Sequence, residues 1–288
     1  MDIKKRIKTE SDRLEVYFND LLIGTLTEQE KMDFFPLSSW FTKGLNLSKE
    51  GRLMLAGHYF SSGERYQQAL TREGMLWLLL QTTYLPKKAY YLYKTGNRAA
   101  AEEMVHASMD IMKRLELDGF EFLVYGRVQQ YHNLARMYLA YGQTQHGLRL
   151  VAHTLEFLLT RRSTLLTDLN VALARHPEEY SSYNYLFIYQ LFFETIEGLL
   201  RYSDTLEEKA RELLRVVLPA AGVYAPVHEE GVIFQRSILV FQAFYDGDYE
   251  YFCREAESLV AGWPKGFETI GNILIQYSSW CKDMLVTQ

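Results

Sequence analysis

The sequence predicts an all-α protein built from antiparallel helical hairpins. Apolar residues recur with a helical period over most of the 288 residues, and only 6 prolines interrupt them. Short connectors carrying Gly, Asn or Asp separate the periodic segments. Helices joined by about 2–5 residues pack antiparallel.

The elements follow in order. Glu10–Ile23 carries Leu14, Phe18, Leu21 and Leu22 on one face, with Gly24 as its stop. Thr27 opens "TEQE", a capping box closed by Glu30, and Pro36 is expected to end that short helix. Ser48 is the expected N-cap of a helix reaching Ser61, and "SSGE" around Gly63 is expected to turn the chain into Arg65–Thr82. Pro86, tolerated in a first turn, opens a short helix to Lys94. Asn97 caps Arg98–Leu115, which "LDG" closes. Phe120–Tyr141, Gln143–Thr160 and the shorter Thr164–Arg175 follow. The run "EEYSSYNYLFIYQLFFETIEGLL" is apolar on nearly every side, as a helix buried between neighbours would be. Asp204 caps Thr205–Leu218, and "PAAGVYAPV" is irregular. Helices at Glu229–Tyr245, Tyr249–Ala261 and Lys265–Leu285 complete the chain. Residues 1–47 read as an N-terminal helical cap, continuous with a repeat region over 48–288.

Composition narrows the function. Hydrophobic residues make up 48% and aromatic residues 14%, enough apolar surface to offset the entropy of ordering. A net charge of -5 offers no broad basic footprint for nucleic acid; the basic "IKKRIK" reads as a solvated helix start. Two cysteines, Cys253 and Cys281, are too few for a disulfide framework or a zinc site, and both sit in apolar patterns. "TESDRLEVYFND" follows the basic start where a secretory leader would be apolar, and "GMLWLLL" is too short to span a bilayer. The expected location is the cytoplasm.

Placing Gly63, Gly96, Gly142 and Gly247 at one corner position brings a pattern into view. Seven residues before them stand Ala56, Ala89, Ala135 and Val240; five after stand Gln68, Ala101, Gly147 and Phe252. Nine after stand Arg72, Val105, Val151 and Ala256. The two middle units repeat small residue, Gly corner, small residue, apolar residue. This resembles the tetratricopeptide repeat, a helix–turn–helix unit of about 34 residues. The resemblance covers roughly Ser48 to Thr160, and the hairpin around "GDYE" faintly. It departs from the family in its intervals of 33, 46 and 105 residues, and only the last unit carries the closing proline, Pro264. The resemblance implies a right-handed α-α superhelix whose first helices line a concave face. On this chain that face would carry Tyr90, Tyr93 and Lys94, and Gln129, His132 and Arg136. Its implied use is a protein or peptide ligand, bound without catalysis or cofactor by a scaffold or adaptor.

Two alternatives come from other residues. Tyr183, Tyr185 and Tyr189 of the aromatic run offer rigid apolar bodies with polar tips, suited to an enclosed pocket of a small-molecule or peptide sensor. Interior packing would use them equally well. Glu103 and His106 have the Glu-x-x-His spacing of di-iron bundles, but no second such motif occurs. His146 and His153, seven apart on one helix, are about 10 Å apart and do not share a metal. No P-loop, His-Glu-x-x-His or nucleophile-elbow pattern appears, so neither catalytic nor metal-binding residues are assigned.

Overall fold

A computed structural model describes residues 19–70, 74–166, 229–262 and 268–286. It also describes 16, 169, 184, 186–188, 190–192, 194–195, 213 and 215–219. Nine helices are bounded among these residues. They are α1 (Glu28–Lys49), α2 (Leu53–Gln67), α3 (Met75–Lys94), α4 (Arg98–Leu117), α5 (Leu123–Ala140), α6 (Thr144–Thr160), α7 (Glu229–Asp246), α8 (Tyr249–Ala261) and α9 (Glu268–Val286). No strand occurs among the described residues. The protein is all-α and packed as sequential antiparallel hairpins.

Four hairpins share one corner. After α1, α3, α5 and α7 the chain enters the left-handed region at Gly51, Gly96, Gly142 and Gly247, with φ of 76°, 81°, 74° and 80°. The amide after each glycine donates to the carbonyl five residues back: Arg52 to Leu47, Asn97 to Leu92, Gln143 to Tyr138 and Asp248 to Ala243, at 2.8–3.0 Å. This is the Schellman closure, which satisfies orphan carbonyls at a helix end and favours a residue without Cβ. The next helix starts at once, capped by the side chains of Asn97 and Asp248 in two of the four.

The first corner is therefore Gly51 and not Gly63. Gly63 lies inside α2 and is buried. With Gly51 in place, the first two intervals become 45 and 46 residues in place of 33 and 46. The small positions also fall into line. Gly44, Ala89 and Ala135 stand seven residues before the corner, and Ala56, Ala101 and Gly147 five after; all six are buried. Ala135/Gly147 meet as the sequence pattern expects: a Cβ on Gly147 would lie 2.8 Å from Leu139 Cγ and 2.9 Å from the Ala135 carbonyl oxygen.

Two prolines predicted to end or begin helices lie inside them. Pro36 sits within α1 and Pro86 within α3. Proline at 36 removes the donor for the Met32 carbonyl, and it does so on the solvent side of the helix, where Met32 is 69% exposed and Pro36 is exposed. Ser48 is likewise no cap: it is buried in α1, where its Oγ donates to the Gly44 carbonyl at 2.8 Å. Thr27 and Glu30 do form the capping box, and hydrogen bonds from Thr27 hold the Glu30 carboxyl below the usual carboxylate range.

The chain divides into two compact units, Leu14–Leu134 and residues 1–13 with 135–288; the cut falls within α5. In the first unit, α1 packs against both α2 and α3, and α3 against α4. The α1/α2 contact is reciprocal. The Phe60 ring lies over Gly44 and the Phe41 ring over Gly63, and the two rings stack at 6.3 Å. Arg127 of α5 and Glu116 of α4 form a buried bidentate pair, with Nε–Oε1 at 2.6 Å and Nη2–Oε2 at 2.7 Å. In the second unit α7 packs on α8 and α8 on α9. Phe192 is buried with its ring edge-on to Phe234 at 4.8 Å.

Candidate functional site

Within the first unit, α1 and α3 lie side by side; α1 keeps one stripe exposed, and α3 carries a half-buried stripe that ends at the exposed Lys94. On α1 the exposed positions Met32, Phe35, Ser39, Thr42, Lys43 and Asn46 fall on one helical face. The buried positions Phe34, Leu37, Phe41, Gly44 and Leu47 occupy the other side. On α3 the matching stripe is Thr83, Lys87, Tyr90 and Lys94, opposite the buried Gln81, Leu85 and Ala89. Lys87 Nζ donates to Thr42 Oγ1 at 2.9 Å and joins the two stripes.

The three residues predicted on α3 do come together. The Tyr90 and Tyr93 rings lie 6.1 Å apart and tilted, and Lys94 Nζ stands 6.0 Å from the centre of the Tyr90 ring. Both tyrosines are half-buried and Lys94 is exposed. That is an aromatic body with a cationic rim, able to meet apolar and anionic groups at once.

Beneath the stripe a second cluster fixes the roll of α3. Tyr84 Oη donates to Glu64 Oε1 at 2.7 Å, and Lys88 Nζ donates to the same oxygen at 2.7 Å. The Lys88 ammonium also lies 5.2 Å from the ring centres of both Phe60 and Tyr91. Burial, and then the Glu64 carboxylate, push the Tyr84 phenol well above the usual range. Because residues 84, 88 and 91 turn towards α2, residues 83, 87, 90 and 94 turn away from it.

The residues predicted on α5 separate. Gln129 is half-buried, whereas His132 is only 3% exposed and points into the interior. Asn133, one residue on, is half-buried, and its Nδ2 donates to Gln130 Oε1 at 3.2 Å. Arg136 is exposed, belongs to the second unit and lies 3.5 Å from Glu194 there. The sequence reading missed the α1 stripe altogether, because it ended that helix at Pro36. The signal was present: Met32, Phe35, Ser39 and Thr42 keep a helical spacing straight through the proline.

The other candidates fare differently. Tyr183, Tyr185 and Tyr189 lie outside the described residues; their described neighbours Leu186, Ile188, Leu191 and Phe192 are buried. Glu103 and His106 are both exposed on α4. Among the described residues no three His, Cys, Asp or Glu side chains gather as a metal site. His153 Nδ1 lies 3.0 Å from Glu156 Oε2 and 3.3 Å from Thr164 Oγ1. Both contacts fall on one ring nitrogen, so the trio lacks the two-nitrogen arrangement that passes a proton from a hydroxyl to a base held by a carboxylate. Among the described residues no helix is long and apolar enough to cross a membrane. No known protein family, curated protein or solved structure matches the chain.

Proposed function

We propose that this chain is a non-enzymatic scaffold that binds a protein or peptide along the stripes of α1 and α3. It is a tetratricopeptide-like array with a lengthened unit of 45–46 residues. The observation that carries the reading is the exposed stripe of α1 beside the half-buried stripe of α3. Phe35 is 54% exposed and Met32 69% on α1, and α3 carries the Tyr90–Tyr93–Lys94 group towards its C-terminal end. Two further features support it. The small residues that repeat around the corners serve helix contact and not chemistry, as expected of a stacked-hairpin scaffold. The polar clusters beneath the stripe are closed on themselves: Glu64 is taken by Tyr84 and Lys88.

The stripes join an apolar end, Met32 and Phe35, to a lysine-bearing end, Lys43, Lys87 and Lys94. They fit a segment of opposite character, with an apolar anchor followed by acidic groups. Panning the full chain against a random peptide library tests this. Enrichment of sequences pairing Leu or aromatic residues with Asp or Glu is expected, and Tyr90→Ala with Lys94→Glu should abolish it with little change in melting temperature. Failure to enrich any motif, or a motif indifferent to both substitutions, refutes the binding face. Arg136→Ala should alter stability by no more than about 1 kcal/mol, since exposed ion pairs contribute little.

A further inference from the structure

We propose that Cys253 and Cys281 are a disulfide-forming pair, oxidised by a hydroperoxide, that ties α8 to α9. The chain's two cysteines stand on different helices that pack together, and both are free and buried. Cys253 Sγ reaches the backbone of α9, 3.4 Å from the Ser278 carbonyl oxygen, one turn before Cys281. Cys253 lies close enough to Cys281 to bear on the ionisation of its thiol. Neighbouring contacts hold the helices in this register. Lys282 pairs with Glu257, and the Phe244 ring of α7 lies 4.9 Å from Tyr277 and 5.0 Å from Phe252. Twenty-eight residues separate the cysteines in sequence, so their meeting is a product of the packing alone.

The surroundings assign different parts to the two sulfurs. Cys253 is 6% exposed and Cys281 is 0%. Cys253, the less enclosed of the two, is therefore the sulfur that a hydroperoxide meets first. Burial, with Cys253 adding to it, pushes the Cys281 thiol up to about 11, so Cys281 keeps its proton until its partner has reacted. In the first step the Cys253 thiolate attacks an oxygen of the hydroperoxide. The O–O bond breaks, the other oxygen leaves as alcohol or water, and Cys253 becomes a sulfenic acid. In the second step the Cys281 sulfur attacks that sulfenic sulfur and gives up its proton. The S–S bond forms and the sulfenic oxygen leaves as water. Two thiols lose two electrons and two protons, and the hydroperoxide takes up both.

The test uses the full chain and hydrogen peroxide, followed by alkylation in denaturant and peptide mapping by mass spectrometry. The expected product has lost the mass of two hydrogens, resists alkylation, carries a Cys253–Cys281 cross-link and returns to thiols with dithiothreitol. Its melting temperature should rise by several degrees, because the bridge closes a loop in the unfolded chain. Cys281→Ala should leave Cys253 as a sulfenic acid that dimedone traps. Full alkylation of both cysteines after peroxide, a bridge between two chains, or oxidation of Cys253 past the sulfenic state without bridging would each overturn the proposal. A wild-type bridge with no trapped sulfenic acid at Cys253 in the variant would overturn the assigned order.

Discussion

Replacing Gly63 with alanine pits two known effects against each other. Gly63 lies within α2, where alanine is favoured over glycine by roughly 0.8–1.0 kcal/mol. The added Cβ would stand 2.5 Å from Cε1 and 3.1 Å from Cδ1 and Cζ of Phe41. Phe41 is fully buried, stacked on Phe60 and 4.7 Å from the Tyr84 ring, so it has no free space to retreat into. Overpacking of this kind costs about 1–3 kcal/mol. The overpacking term exceeds the propensity term, and Gly63→Ala should destabilise the protein by about 1 kcal/mol net. A second substitution isolates the cause. Phe41→Leu removes the ring that the methyl group meets, so the double variant should be more stable than the sum of the single losses by about 1–2 kcal/mol. Urea denaturation of the four proteins measures this, with unchanged slopes as the check that the unfolded state is the same. Were Gly63 a hairpin corner with a left-handed backbone, alanine would cost about 1–2 kcal/mol through backbone strain. That loss would be indifferent to residue 41. Additive losses would therefore refute the reciprocal packing of α1 on α2.

Two further perturbations probe the first unit. Glu116→Ala leaves Arg127 only 1% exposed and without its bidentate partner, and should lower stability by about 3–5 kcal/mol in denaturant titration; a loss below about 1 kcal/mol would mean that water reaches the guanidinium. Tyr84 should make stability fall at alkaline pH. The folded chain holds its phenolic proton beyond the unfolded value of about 10, whereas the unfolded chain sheds it. Its contribution is therefore whole below about pH 10 and lost as pH rises further. Tyr84→Phe should flatten that decline, and an unchanged slope in pH-dependent unfolding would count against the Tyr84–Glu64 bond.

Much of the secondary structure was legible, for a local reason. Asn97 and Asp248 are caps that act on amides three residues away, and the α8 bounds Tyr249–Ala261 follow from such signals alone. Where local signals conflict, the sequence misleads. Pro36, Pro86 and Gly63 are each strong breakers by type, and each lies inside a helix. What neutralises them is tertiary: solvent at Met32 for Pro36, and an aromatic ring for Gly63. The same errors hid half of the candidate site, since breaking α1 at Pro36 removes the stripe that carries Phe35 and Thr42. His132 was misjudged because adjacent residues on a helix differ by about 100°. Only the packing of α5 decides which residue faces inward.

By itself, the sequence determined an all-α chain, the corners at Gly96, Gly142 and Gly247, the pairing of small residues beside them, and the grouping of Tyr90, Tyr93 and Lys94. Each is a relation over a few residues, set by helical period and turn chemistry. Tertiary structure decided the rest: the corner at Gly51, the interval of 45–46 residues, the buried Glu116–Arg127 pair and the packing of Cys253 against the helix that carries Cys281. The physical reason is that a glycine, a charge or a thiol has no fixed role in sequence. Its role depends on whether a ring, a counter-charge or a second thiol is brought against it by another helix.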